Sequence, residues 1–94
     1  MGYFIISTNQ YNRSFKKLIF GGKVRREEIE KVIEIIISNS KLPFKFKDHK
    51  LKGDMADFRE CHIKPNILLI YKIKRDGTTL ILVNIGTHSD LFGN

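Results

Sequence analysis

Cysteine is almost absent from this chain: Cys61 is the single one, so no intramolecular disulfide can form. That fits a reducing compartment. No apolar stretch is long enough to span a bilayer. The opening Met1-Gly2-Tyr3-Phe4-Ile5-Ile6 lacks the basic start and long apolar run of a signal peptide. A cytoplasmic protein with no membrane association is expected. No Gly-rich phosphate loop is present, and no His or Cys pair has the short spacing of a zinc site. Neither a metal nor another cofactor is therefore expected. Repeats, linkers and low-complexity tracts are missing too. With 94 residues there is room for one domain, residues 1–94. A chain this short buries only roughly 60–65% of the surface exposed when unfolded, which favours a shallow surface site over an enclosed cavity.

Acidic residues are also scarce, 10 against 17 Lys and Arg, for a net charge of +7. Such a field favours a polyanionic partner through steering and counterion release. Nucleic acid and an acidic protein both satisfy it.

Hydrophobic residues make up 41% of the chain, enough for one modest core. Residues 3–7 read as a short strand. Ser7-Thr8-Asn9 offers caps for a helix whose apolar residues Tyr11, Phe15, Leu18 and Ile19 recur at helical spacing, and Gly21-Gly22 stops it. Residues 24–39 repeat the pattern with Ile29, Val32, Ile33 and Ile36 on one face. So short a Gly-Gly link implies an antiparallel helical hairpin. Leu42-Pro43 ends the helical part. Residues 44–51 look basic and partly extended, and Gly53-Asp54 marks a turn. Strands follow over 58–63, 68–74 and 79–85, separated by Lys64-Pro65-Asn66 and by Asp76-Gly77, a strong hairpin signal. The last two strands are apolar on both faces and belong in the sheet centre. Residues 87–92 form a tail or a single helical turn. The result is an α+β domain: N-terminal strand, helical hairpin, then three to four antiparallel strands with the helices on one sheet face. The other face is left to carry function.

The chemistry-bearing residues lie in the second half. Cys61 next to His62 is no nucleophile–base pair, because adjacent strand residues point to opposite faces; Cys61 reads as a small buried residue. The same alternation puts Phe58, Glu60 and His62 on one side, with Arg59, Cys61 and Ile63 on the other. Three histidines, His49, His62 and His88, accompany Lys45, Lys47, Lys50, Lys52 and Arg59. An imidazole has an unperturbed pKa of about 6.5, so one can accept a proton while another donates. RNA carries its own nucleophile, the 2′-hydroxyl. Two imidazoles and a cation suffice to cut it without metal. Singly, each histidine reads as structural or merely exposed. Of the aromatics, Phe44, Phe46 and Phe58 punctuate the basic region, and most Phe in small domains are core.

The stretches Asp48-His49-Lys50-Leu51-Lys52-Gly53, Arg59-Glu60-Cys61-His62-Ile63-Lys64-Pro65, Leu68-Leu69-Ile70-Tyr71 and Gly86-Thr87-His88-Ser89-Asp90-Leu91-Phe92 resemble the YafQ branch of the RelE-like ribonuclease toxins, in order and spacing. The resemblance implies a RelE-like fold and a type II toxin–antitoxin toxin that cuts messenger RNA on the ribosome. It also implies neutralisation by a cognate acidic antitoxin that wraps the toxin with an otherwise disordered segment. His49, His62 and His88 fall on its histidine positions and Phe92 on its C-terminal aromatic. His88 is the expected general acid, with His49 or His62 as base. Lys50, Lys52 and Arg59 are expected to bind phosphate or stabilise transition-state charge. One departure stands out: Asn66-Ile67 occupies the place of an aspartate and a bulky residue. Asparagine cannot exchange a proton near neutral pH. The alternative is therefore a weakened or inactive protein that binds nucleic acid or an antitoxin. Asp48, Glu60 and Asp90 are candidates for the missing charge.

Overall fold

A computed structural model describes residues 4–38 and 41–93. In chain order the elements are β1 (Phe4–Ser7), α1 (Asn9–Phe20), α2 (Arg26–Ile37), a 3-10 turn (Phe44–Phe46), β2 (His49–Lys50), a second 3-10 turn (Gly53–Met55), β3 (Arg59–Lys64), β4 (Ile67–Ile73), β5 (Thr79–Gly86) and α3 (His88–Phe92). The α+β arrangement agrees with the reading from sequence.

Capping sets the helix bounds. Thr8 Oγ1 accepts from the Tyr11 N–H at 3.0 Å and donates to Val83 O at 2.7 Å, so one hydroxyl starts α1 and ties it to β5. Gly22, at φ 69°, takes the left-handed turn after α1. Helix α2 starts later than the apolar pattern suggests, because the Arg25 N–H donates to Glu28 Oε1 at 2.9 Å and fixes the cap there. The expected end at Asn39 lies outside the described residues. Arg26 stacks over the Phe15 ring, 5.3 Å from its centroid, and joins the first turn of α2 to α1.

The sheet order is β1-β5-β4-β3-β2, with β4 and β5 inside as their two-sided apolarity requires. The strands β2 to β5 run antiparallel, whereas β1 pairs in parallel with β5. Asp76 builds the β4–β5 hairpin: its carboxylate accepts from the N–H groups of Thr78 (2.8 Å) and Thr79 (3.2 Å), beside Gly77 at φ 73°.

Ile29 and Val32 from α2 join Ile67, Leu69, Leu80 and Ile85 from the sheet in one core. Leu68 and Ile70 point the other way and are buried as well, so the second face is only partly a polar surface. The segment 44–51 departs from extended geometry. Pro43, at φ −52°, opens a 3-10 turn that sends Phe46 into the core. Lys47 then takes a left-handed conformation, φ 51°, and reverses the chain into the two-residue β2.

Replacing Leu69, which is fully buried, by alanine is expected to cost about 2–5 kcal/mol in urea unfolding. Phe20→Ala, at a residue left largely exposed, is expected to stay within about 0.5 kcal/mol.

Candidate active site

The segment entering β2 brings Asp48 and His49 to the sheet edge, where they meet different partners. The Asp48 carboxylate accepts from Arg59 Nη2 at 2.8 Å and from the Tyr71 hydroxyl at 2.5 Å. One side chain of the edge segment is thereby bound to both β3 and β4. The hydrogen bond from Arg59 to Asp48 raises the guanidinium's pKa further, against the lowering effect of burial. Burial first, and Asp48 second, push the Tyr71 phenol well above its ordinary value.

His49 is exposed and held at both ring nitrogens. Nδ1 lies 2.7 Å from Lys47 O, and a carbonyl only accepts, so Nδ1 carries the hydrogen. Nε2 lies 3.3 Å from Glu60 Oε1. That contact is attractive only with a proton between the two atoms. Glu60 is buried, 7% exposed, and its second oxygen Oε2 has no hydrogen-bond partner among the described residues. His49 is the ring beside the other oxygen of this buried carboxyl group.

His62 follows Glu60 by two residues and shares its face. Its Nδ1 lies 3.3 Å from Pro65 O, and a carbonyl only accepts, so the ring is tethered through a hydrogen on Nδ1. His49 sits across from Glu60, so His49 and His62 form a diagonal cross-strand pair at about 7–8 Å. His88 is the first residue of α3, and its ring packs on Phe92 with centroids 4.9 Å apart. His62 pairs with Leu68 and Leu68 with Gly86, so the row leads to the strand end just before His88. Two strand spacings, about 10 Å, separate His62 from Gly86.

The expected residues thus fall into three groups. His49 and His62 share a face with Glu60, and His88 and Phe92 stand together at the end of β5. Arg59 lies on the opposite face, bound to Asp48, and Lys50 is its cross-strand partner. Lys52 is exposed just before the second 3-10 turn. Tyr71 received no role from the sequence, where it reads as one apolar residue of a core strand. Its phenol meets Asp48 only because Tyr71 is in register with Arg59. No group of three or more His, Cys, Asp or Glu side chains among the described residues is placed to hold a metal. Cys61 is buried, which pushes its thiol up to about 12.

Comparison with known proteins places the molecule in a class of bacterial toxins. Residues 3–93 match the family described as bacterial toxin of type II toxin–antitoxin system, YafQ. The chain is 31% identical over 88 residues to the mRNA interferase toxin YafQ of Escherichia coli K12, covering 89% of this chain and 94% of that one. Among solved structures, the metal-bound toxin from Helicobacter pylori is 40% identical with a TM-score of 0.88, covering 96% of this chain and 99% of that one. The E. coli DinJ–YafQ toxin–antitoxin complex gives 30% identity and a TM-score of 0.84, covering 99% and 100%. The chain belongs to the YafQ family of type II toxins.

Two outcomes test the local geometry. Cys61 is expected to resist iodoacetamide at pH 8 in the folded protein and to react once unfolded, read by mass spectrometry. Asp90 accepts from the Thr87 N–H at 3.1 Å, and this bond, with a lesser pull from Lys17 and Lys23, holds its pKa below the ordinary carboxylate value. A pKa lowered by folding stabilises the ionised side. The contribution is fully present above the ordinary carboxylate pKa and is lost as pH falls through the lower folded value. Acidification across that window should loosen α3, seen as loss of NMR contacts between His88 and Phe92. Asp90→Asn should remove the dependence.

Proposed function

We propose that this protein is the toxin of a type II toxin–antitoxin pair and cleaves messenger RNA as an endoribonuclease, by histidine acid–base chemistry. The observation that carries the mechanism is the tethering of two imidazoles on one face of the sheet. His49 has both ring nitrogens engaged, whereas His62 is held by Nδ1 alone and presents Nε2.

His62 Nε2 takes the proton of a ribose 2′-hydroxyl, and the oxygen attacks the adjacent phosphorus. Negative charge then grows on the phosphorane oxygens, and His49, on the same face, meets it together with Lys47, which lines one opening with His62. Lys52 holds a flanking phosphate, whereas Lys50, across from Arg59, lies on the other face from the imidazoles. His88 donates its proton to the departing 5′-oxygen as the P–O bond breaks. The products are a 2′,3′-cyclic phosphate and a 5′-hydroxyl, and the proton gained by His62 matches the one lost by His88. Phe92, against the His88 ring, orients it. Glu60 supplies on β3 the carboxylate that Asn66 lacks in the β3–β4 turn.

The natural partner is a cognate antitoxin, acidic and therefore complementary to a toxin of charge +7. The substrate is messenger RNA on the ribosome, in the cytoplasm. None of the described helices is long and apolar enough to cross a membrane.

Primer extension on translated messenger RNA, with EDTA present, tests this reading. Cuts should persist in EDTA and fall about a hundredfold or more in His88→Ala and His62→Ala. Cutting unchanged in His88→Ala removes the general acid, and cutting abolished by EDTA removes the metal-independent route. Asn66 favours a second reading, a protein that binds RNA or antitoxin without cutting. Overexpression that leaves growth untouched, with RNA affinity retained, would support it.

A further inference from the structure

Exposure alone says little about an aromatic ring, and Phe4, Phe20 and Phe44 are all exposed. Phe44 differs in what surrounds it. It is 94% exposed, yet it sits in a braced turn. The Phe46 N–H donates to Pro43 O and the Lys47 N–H to Phe44 O, both at 3.0 Å, while Phe46 is anchored in the core. The ring is therefore held out into water by a frame that folding has already ordered.

Beside it lies an open cavity of about 600 Å³, lined among others by Lys41, Phe44, Lys47, Asp48, His49 and Arg59. Asp48, the one carboxylate among these, is neutralised by Arg59, so Lys41 and Lys47 leave the lining positive. Lys47 also links the ring to the site. Its N–H is bonded to Phe44 O, and its own carbonyl accepts from His49 Nδ1. A flat apolar ring, two lysines and a histidine at one opening match one nucleotide of a single strand: a base to stack, a phosphate to neutralise, and a ribose-phosphate link next to an imidazole.

We propose that Phe44 is a base-stacking residue and that this cavity is a nucleotide subsite flanking the cleaved link, occupied by single-stranded RNA. The proposal rests on the RNA-cutting reading above. Stacking on an aromatic ring is tolerant of base identity, so the subsite holds the strand in place more than it selects sequence.

The test combines binding with cleavage. A 2′-O-methyl RNA oligonucleotide, which cannot be cut, is titrated against the wild-type protein, Phe44→Ala, Phe44→Tyr and Phe44→Trp, each checked for folding by circular dichroism. Phe44→Ala should bind about tenfold more weakly. Phe44→Tyr and Phe44→Trp should restore affinity, and the oligonucleotide should quench the Phe44→Trp fluorescence. In cleavage, the larger share of the Phe44→Ala loss should fall on KM. Equal affinity of Phe44→Ala and wild type overturns the subsite, as does quenching of Phe44→Trp by an acidic peptide but not by RNA. The two readings fail separately. If the wild-type protein binds but does not cut, the enzyme reading fails and the titration still decides the role of Phe44; if cutting stands and Phe44→Ala binds and cuts as wild type does, only the subsite fails.

Discussion

The site depends on the grip that Arg59 and Tyr71 keep on Asp48. Strand β2 has two residues and forms the sheet edge, so its ladder alone is a weak anchor. The carboxylate of Asp48 adds two charge-assisted bonds to the neighbouring strands. Asp48 directly precedes His49 in the chain, so holding Asp48 against β3 and β4 also limits where the His49 side chain can go. From there the order propagates. His49 is aimed at Glu60 and braced by the Lys47 carbonyl, and the Lys47 backbone in turn carries the Phe44 turn. A polar cluster thus orients the His49 side chain, which it never touches.

Folding and chemistry make separate demands on the same strands. Cys61, Ile63, Leu69 and Tyr71 close the core under the helices, and the residues between them carry Glu60 and His62 on the other side. Leu68 and Ile70 are buried on that second side. They leave the imidazoles at the rim rather than on an open floor. A rim site suits a long flexible polymer, which can lie along an edge without being enclosed. The positive net charge of +7 favours the approach of a polyanion.

Much of this was legible in the sequence, and the physical reasons differ by element. Helices α1 and α2 announce themselves through apolar periodicity and glycine, and the β4–β5 hairpin through Asp76-Gly77. Alternation alone separates His62 and Glu60 from Arg59. The parallel pairing of β1 with β5 has no local signal, since nothing in residues 4–7 encodes a partner more than seventy residues away. The 3-10 turn at Phe44 hides in a segment that reads as basic and extended, because it is set by core burial of Phe46 and by the left-handed Lys47. Tyr71 looks apolar until register puts its hydroxyl on Asp48. Arg59 looked like a phosphate ligand by composition, and the structure commits its guanidinium to Asp48.

The most direct test is nitrogen NMR of the His49 imidazole in the wild-type protein and in Asp48→Ala, with cleavage measured on the same samples. The account predicts a wild-type ring with Nδ1 protonated and hydrogen-bonded. In the variant, that bond should be lost and cutting should fall, while the His62 and His88 resonances stay in place. An unchanged His49 spectrum with undiminished cutting in Asp48→Ala would contradict it.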